Sequence, residues 1–529
     1  MKKIIIFTLA ILVLLFIIGI RFYRLGSIPV NLGNDEISIA YDAYSIGHTL
    51  RDEHGRFLPI SFQSHGDYKA PLYIYFSALP IKIFGNTEFA VRFVSSISGV
   101  LSIIFLCLLT YKISKNKTLS ALSAIILGLS PWHIYASRIA WESNLAFFFF
   151  ILAIYLFIVF QEDQKKWLCL LGSSLSFGFS AYSYHIEKIL SPLMVVFLTL
   201  FLPIKSSIKR YLYWGFTFLL FLPIIFGYFN QLGSNSRANT QMVWNYPNVY
   251  DYLFKSNHSI ILKFSVLFSA ALSNYSAHLN LGHLFFKGLS LLPQKTPYLF
   301  GLLLPALLPF LIFGLFNTKR LFGKYSNFLL FWTFFCPLIS SLTRGDPNLG
   351  RNLPTLAPYC ILIAVGIIIV WKKATLILKA TIVLSNLFFL LYFLFFYFNH
   401  FPVHSGENWQ YGYKQIALFT SPLYQKYERI IVDPLFGENN QFVGVPHLYI
   451  PYFARLDPNL VLQRSKHNGD IGKYVIKEID WSKEKIINNS LYVLPVSNLP
   501  SSEQKELTLL KTIYYPNGKA AFEIFEAKF

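Results

Sequence analysis

The sequence predicts an α-helical polytopic membrane protein that carries a small C-terminal α/β domain outside the membrane. Three observations predict it. Hydrophobic residues make up 54% of the 529 positions and charged residues only 14%, too few to cover a water-soluble chain of this length. Eleven apolar runs approach or exceed the length needed to cross ~30 Å of hydrocarbon as a helix. The basic residues between those runs fall in alternate loops. Soluble globular, disordered and disulfide-scaffold classes are therefore excluded, and Cys107, Cys169, Cys336 and Cys360 all lie inside apolar runs, where none can staple an external loop.

The runs fall at about 4–20, 92–111, 118–134, 144–160, 167–184, 189–203, 211–229, 297–316, 325–343, 355–371 and 375–397. The first begins Met1-Lys2-Lys3 like a signal peptide, but it continues into Arg21-Phe22-Tyr23-Arg24 without a small-residue cleavage site and is read as an anchor. With the N-terminus in the cytoplasm, every second loop is short and basic. These loops hold Lys112, Lys115 and Lys117; Lys165 and Lys166; Lys205, Lys209 and Arg210; Lys319, Arg320 and Lys324; Lys372 and Lys373. Of the 13 acidic residues before position 400, only Glu162 and Asp163 fall on that side. Of the net charge of +20, +19 lies before position 400 (32 basic, 13 acidic), since residues 400–529 hold 14 basic and 13 acidic residues. It marks orientation in a plasma membrane, not nucleic-acid binding. Ile260–Ser273 is apolar but carries Lys263, and Leu279–Leu292 is mixed. One extra span there would reverse all later loops and a hairpin would preserve them, so eleven spans are expected, or thirteen if 260–292 forms two more.

Three outer segments, 21–91, 230–296 and 398–529, are too long to be plain connectors. In the first, Asn34 is placed to cap a helix from Asp35 with Ile37, Ala40, Tyr41 and Tyr44 on its apolar face. A second helix starts near Pro71, with Leu72, Tyr75, Phe76 and Leu79 on one side, and ends at Gly85. Both are expected to lie on the outer membrane surface. After 398, alternating runs such as Arg429–Val432 and Ser490–Leu494, divided by Asp457-Pro458-Asn459 and Pro516-Asn517-Gly518, read as the α/β domain. The domains are thus 1–397 in the membrane and 398–529 outside it.

The spans are nearly free of charge, whereas transporters and pumps carry ionisable groups or broken helices at the midplane. The candidates for chemistry collect instead at the outer edge: Asp35, Glu36, Lys69, Arg138, Glu142, His185, Lys188, Arg344, Asp346 and Arg351. That placement fits a reaction on a lipid headgroup at the outer face. Asp35-Glu36 opens a helix, where free amides favour carboxylates able to take a proton from a hydroxyl, although acids suit any first helical turn. Glu142 follows a turn too short to leave the membrane surface, and Arg138 stands four residues before it as a plain ion pair would. Lys69 starts the second surface helix, either snorkelling toward lipid or binding the phosphate of a lipid-linked substrate. His185 and Lys188 close the fifth span, a position that also suits an interfacial hydrogen-bonder, and Thr343-Arg344-Gly345-Asp346 through Arg351 is a glycine-punctuated loop suited to clamp phosphate. No P-loop, HExxH, GxSxG or paired CxxC is present.

Taken in order, Asp35-Glu36, Asp67-Tyr68-Lys69-Ala70-Pro71-Leu72-Tyr73, Ala90-Val91-Arg92, Ser137-Arg138 with Glu142, and Tyr184-His185 resemble glycosyltransferase family 39. That group includes protein O-mannosyltransferases and lipid A aminoarabinose transferases and has the GT-C fold. The resemblance covers about residues 1–200, and 330–370 loosely. It implies that Asp35 is the catalytic base, that Glu142 is the second carboxylate, where several relatives have Asp, and that Lys69 meets the polyprenyl phosphate. The implied reaction moves a sugar, with inversion, from a polyprenyl-phosphate carrier to an acceptor hydroxyl on a lipid, glycan or protein. No cofactor is expected, and a divalent metal is neither required nor excluded. The rival readings are a cell-surface glycan polymerase or ligase using a diphosphate-linked donor, and a lipid-linked glycan flippase, which predicts charge inside the spans.

Overall fold

The computed structural model describes residues 2–64, 67–229, 241–255, 258–290, 299–345, 347–437, 442–464, 469–500 and 506–529. A helix forms on each of the eleven apolar runs, with differences that matter for the site. The helices are α1 (Lys2–Phe22), α2 (Asn34–Thr49), α3 (Pro71–Phe84), α4 (Glu88–Ser114), α5 (Lys117–Leu129), α6 (Pro131–Ala136), α7 (Glu142–Glu162), α8 (Trp167–Ser183), α9 (Glu187–Phe201) and α10 (Ser207–Phe229). Then follow α11 (Ile260–His278), α12 (Leu308–Phe322), α13 (Ser326–Ser341), α14 (Leu356–Lys373) and α15 (Leu376–Phe395). Among the described residues, six helical segments are long and apolar enough to cross a membrane: 88–114, 142–162, 207–226, 260–278, 353–373 and 376–404. Helices α8 at 17 residues, α13 at 16, and α9 and α12 at 15 are shorter.

Two of the expected runs are displaced. The run at 118–134 breaks at Ser130-Pro131, where Ser130 ends α5 and caps α6 through its own hydroxyl. The run at 297–316 becomes helical only from Leu308 and continues to Phe322, because Leu299–Phe300 pairs with Leu289–Ser290 as a short ladder. In place of the two further spans that 260–292 left open, the described residues hold a single helix, α11, of 19 residues, followed by a one-turn π-helix at His283–Lys287. Asn274 on α11 donates to the carbonyls of Ser341 and Thr343, which sets the C-terminal end of α11 level with the end of α13.

Helix ends beside the candidate residues are tied together by two buried arginines. Arg21, near the end of α1, donates to the Gly128 carbonyl at the end of α5 and to His133 Nδ1 at 2.8 Å. Arg138, just after α6, donates to the carbonyls of Ile20 (2.6 Å), Arg21 (3.3 Å) and Ile28 (3.1 Å), with its guanidinium over the rings of Tyr397 and Phe398. Each cation therefore meets the negative end of a helix dipole and the carbonyls left open there. From α4, the hydroxyls of Ser95 and Ser96 donate to the carbonyls of Ala136 and Ser137. Gly99 packs so closely on Ser137 that a Cβ would overlap its side chain. These contacts hold the turn before α7 rigid.

Residues after 398 form α16 (Tyr413–Thr420), α17 (Pro446–Phe453) and a five-stranded mixed sheet. A two-stranded ladder in the first outer segment is β1 (Phe62–Ser64) with β2 (Asp67–Lys69), and the sheet strands are β3 (Arg429–Val432), β4 (Tyr474–Ile476), β5 (Ser490–Pro495), β6 (Leu507–Tyr514) and β7 (Ala520–Ala527). The spatial order is β6-β7-β5-β3-β4, antiparallel through β5 and parallel beyond it. This unit sits on the first outer segment. Asn31 donates to the Gln410 carbonyl at 2.8 Å, Lys414 pairs with Glu88 at 2.6 Å, Arg464 meets Glu53 at 3.3 Å, and the Tyr449 hydroxyl donates to the Leu32 carbonyl.

Candidate functional site

Both acids of the Asp35-Glu36 pair open α2, yet they face different surroundings. Gly33, not Asn34, is the N-cap; the Glu36 carboxylate reaches back to accept its N–H at 3.0 Å. Glu36 is buried and also accepts from Arg92 Nε at 2.9 Å, Arg92 Nη2 at 3.0 Å and the Ala140 N–H at 2.6 Å. Arg92, fully buried on α4, spends its remaining donors on the carbonyls of Leu25, Pro29 and Asn31. One carboxylate thus binds the N-cap of the helix that carries Asp35 to the turn two residues before Glu142. A paired acid with four donors around it is a clamp, not a proton acceptor.

The Asp35 side chain is 80% exposed, and its Oδ1 lies 2.8 Å from Lys69 Nζ. Lys69 is only 3% exposed and also donates to the Asp35 carbonyl at 3.0 Å. An ammonium has three donors, so the described residues use two of them. The ladder of β1 and β2 aims Lys69 here, with Phe62 opposite it in register. His185 supports the same strand: its Nε2 lies 2.6 Å from the Tyr68 carbonyl and its Nδ1 lies 3.2 Å from Lys188 Nζ. Since the carbonyl requires a donor and the ammonium an acceptor, these partners assign the neutral Nε2–H tautomer. His185 and Lys188 therefore meet at the Lys69 strand.

Glu142 is buried at the first position of α7, after the pinned turn. Arg344 and Arg351 line a cavity of about 520 Å³ together with Tyr135, Ile139, Trp141, Gln241 and Asn348. Arg351 Nη2 donates to Gln241 Oε1 at 3.1 Å, and Arg344 Nη1 to the Asn245 carbonyl at 3.2 Å. Asp346 lies outside the described residues. Gly350 joins this loop to the rest of the site, since a Cβ there would lie 2.9 Å from the Tyr184 hydroxyl, 3.0 Å from the Trp141 ring and 3.2 Å from Ser143 Oγ.

Arg138 departs from the expectation of a substrate-binding residue. It is fully buried among main-chain carbonyls and holds helix ends, as described above. α3 buries Tyr73, Ile74, Ser77 and Ile81 against the protein and leaves Phe76 and Leu79, two residues of its expected apolar face, exposed. The sequence reading assigned Arg92 no role, although an arginine in the first turn of an apolar run was the available signal. Among the described residues, no group of three or more His, Cys, Asp or Glu side chains is placed to hold a metal ion. Burial and the neighbouring Glu53 push the Asp42 carboxyl well above the usual carboxylate range.

Residues 68–228 match the family model described as dolichyl-phosphate-mannose-protein mannosyltransferase. Dolichyl-phosphooligosaccharide-protein glycotransferase 1 of Archaeoglobus fulgidus is 25% identical over 181 residues, 32% of this chain and 29% of that protein. The match thus spans less than a third of the curated relative. In fold, the chain is similar to ArnT from Cupriavidus metallidurans in the apo state, with a TM-score of 0.57 at 12% identity over 99% of this chain and 98% of that one. The same protein bound to undecaprenyl phosphate gives a TM-score of 0.54 at 11% identity, covering 99% and 97%. The fold is GT-C-like, and the resemblance to family 39 stands.

Proposed function

We propose that this GT-C-like, family 39-related chain is a membrane glycosyltransferase that moves a sugar from a polyprenyl-phosphate carrier to an acceptor hydroxyl at the outer face of the plasma membrane. The observation that carries this reading is the exposed Asp35 carboxylate held against the buried Lys69 ammonium. Asp35 accepts the proton of the acceptor hydroxyl, the freed oxygen attacks the anomeric carbon from the opposite face, and the bond from that carbon to the phosphate oxygen breaks. The electron pair leaves on the polyprenyl phosphate, so the anomeric centre inverts. Lys69 offers its third N–H to a phosphate oxygen, where developing negative charge is stabilised most strongly in a water-poor site. His185, with its other ring nitrogen bonded to Lys188, donates to the Tyr68 carbonyl and so holds the strand that positions Lys69. Glu36 is a positioning residue, and Glu142, opening the adjacent α7, orients the acceptor or the donor.

The charge pattern of the loops supports a cytoplasmic N-terminus, an outer face for 21–91 and 344–351, and an outer C-terminal domain; α11 keeps this parity, since Met242 before it bridges to Thr343 and Asn274 near its far end donates to the Thr343 carbonyl, so both flanks lie at one level. Reporter fusions after Lys117, Lys166, Arg210, Lys324 and Lys373 are expected to read cytoplasm, and a fusion at Phe529 the outside. A cytoplasmic C-terminus would divide the candidate acids and loops between two faces and overturn the site. The functional test is mass spectrometry of lipid-linked sugars and surface glycans with and without the gene. Build-up of one polyprenyl-phosphate sugar with loss of one glycan is expected; unchanged profiles would overturn the proposal.

A further inference from the structure

Buried from Glu36 to Ile46 between α3 and the C-terminal domain, α2 offers little surface to a membrane, whereas the loop that follows it does the opposite. Leu50, Phe57, Leu58 and Ile60 are each 43% to 61% exposed. The backbone fixes them there. Arg51 bridges to Phe57, and the Leu58 N–H donates to the Leu50 carbonyl at 3.0 Å. Leu50 and Leu58 hold φ of +57° and +39°, a region that a β-carbon disfavours. The Tyr75 hydroxyl on α3 donates to the Pro59 carbonyl at 2.9 Å, so the loop abuts the exposed stripe of Phe76, Leu79 and Ile83 on that helix. The level of α3 is set at both ends. Phe76 meets Phe149 of α7 with centroids 6.3 Å apart, and Phe149 meets Phe179 on the exposed side of α8 at 5.2 Å. At the other end Phe84 meets Phe93 of α4 at 5.3 Å, and Phe93 meets Phe22, the last residue of α1, at 6.1 Å. Phe149 stands only ~10 Å along α7 from Glu142, its first residue, so the stripe of α3 runs level with the end turns of these spans. The acids of the loop, Asp52 and Glu53, are buried and paired with Arg56 and Arg464, while Arg51 and Lys82 are exposed.

We infer that the Leu50–Ile60 loop, together with the exposed stripe of α3, is a docking surface for the anionic outer leaflet of the membrane, a peripheral contact additional to the spans. Two features select lipid over a protein partner. The patch continues through Phe76, Phe149 and Phe179 into the apolar surface of the spans, where hydrocarbon is the neighbour. Its exposed charges, Arg51 and Lys82, are both basic, as suits anionic headgroups above a layer that takes up Phe57 and Ile60. The surface faces the outer leaflet on the proposed reading that residues 21–91 lie outside; it does not depend on the reaction proposed for Asp35 and Lys69.

The test is depth-dependent quenching of a thiol-attached fluorophore on the full-length protein. The protein is held in nanodiscs of phosphatidylcholine, alone or with about one third phosphatidylglycerol. Phe57→Cys and Ile60→Cys carry the label in turn; Leu509→Cys, exposed on the C-terminal domain, is the aqueous control, and the parent chain gives the background of its own four cysteines. Labels at 57 and 60 are expected to be quenched about threefold more by a lipid-borne nitroxide, and about threefold less by aqueous iodide, than the label at 509. Phosphatidylglycerol is expected to widen that contrast, and Arg51→Glu combined with Lys82→Glu to abolish the widening. Quenching of the loop by iodide and not by nitroxide would overturn the docking surface, and protection from both quenchers would overturn it too, because a protein partner or a second copy would then cover the patch. The same contrast in both lipids, or no response to the reversed charges, would overturn the assignment to anionic lipid. A cytoplasmic C-terminus in the reporter fusions, with nitroxide quenching retained, would overturn the outer-leaflet assignment through the orientation, not through the docking.

Discussion

Asp35 and Glu36 are neighbours in the chain and chemically almost the same, yet one is 80% exposed and the other buried under Arg92. The same contrast recurs among the arginines: Arg92 and Arg138 are fully buried, while Arg344 and Arg351 line an open cavity. The difference teaches that a charge at the outer edge of a membrane protein has two uses. The buried Arg92–Glu36 pair, with its donors and acceptors filled, fixes geometry, whereas the exposed Asp35 carboxylate stands where a substrate can reach it. Residue type does not distinguish the two.

The sharpest way to break this comparison is to neutralise the exposed acid. Asp35→Asn retains its size and its place in the first helical turn but cannot take a proton, so turnover is expected to fall roughly 10²–10⁴-fold while the protein stays folded. Turnover normalised to detergent-stable protein measures it, and a near-normal value would sink the base assignment. Glu36→Gln is expected to do the reverse. An amide placed against Arg92 and two backbone N–H groups loses the buried ion pair, costing about 3–5 kcal/mol, read as a lowered melting temperature. A Glu36→Gln protein as stable as the parent but inactive would make Glu36 a chemical participant after all.

Lys69→Ala is expected to cost about 1.5–3 kcal/mol in use of the lipid-phosphate donor, with partial rescue by Lys69→Arg, whose planar guanidinium has a different shape. Unchanged donor kinetics would remove Lys69 from the site. The smallest effect is expected at Asp42, a buried acid on the same helix whose Oδ1 accepts the Glu53 N–H at 3.0 Å. Its proton is held more tightly in the folded protein than in the unfolded chain. Its stabilising contribution is therefore present at acid pH and lost as pH rises from the ordinary carboxylate range through the raised folded value. Asp42→Asn keeps the acceptor oxygen and is expected to change stability by no more than the ~0.5–1.5 kcal/mol of one hydrogen bond, while flattening that pH dependence. Melting curves across pH 4 to 8 on both proteins test it; parallel curves would refute the assignment.

The amino-acid sequence by itself determined the membrane class, the helical runs and the separate candidacy of Asp35 and Lys69, because apolar run length and charge placement are local properties of the chain. It also marked Gly85 as the end of α3, where φ is +76°. Only the tertiary structure decided that Glu36 is a clamp, that Arg138 caps helix ends, that 260–278 is one helix, and that Trp141 shares a cavity with Arg351 across 210 residues of chain. The reason is physical: whether a charged side chain is satisfied depends on which main-chain carbonyls and amides end beside it, and those are contributed by helices far away in sequence.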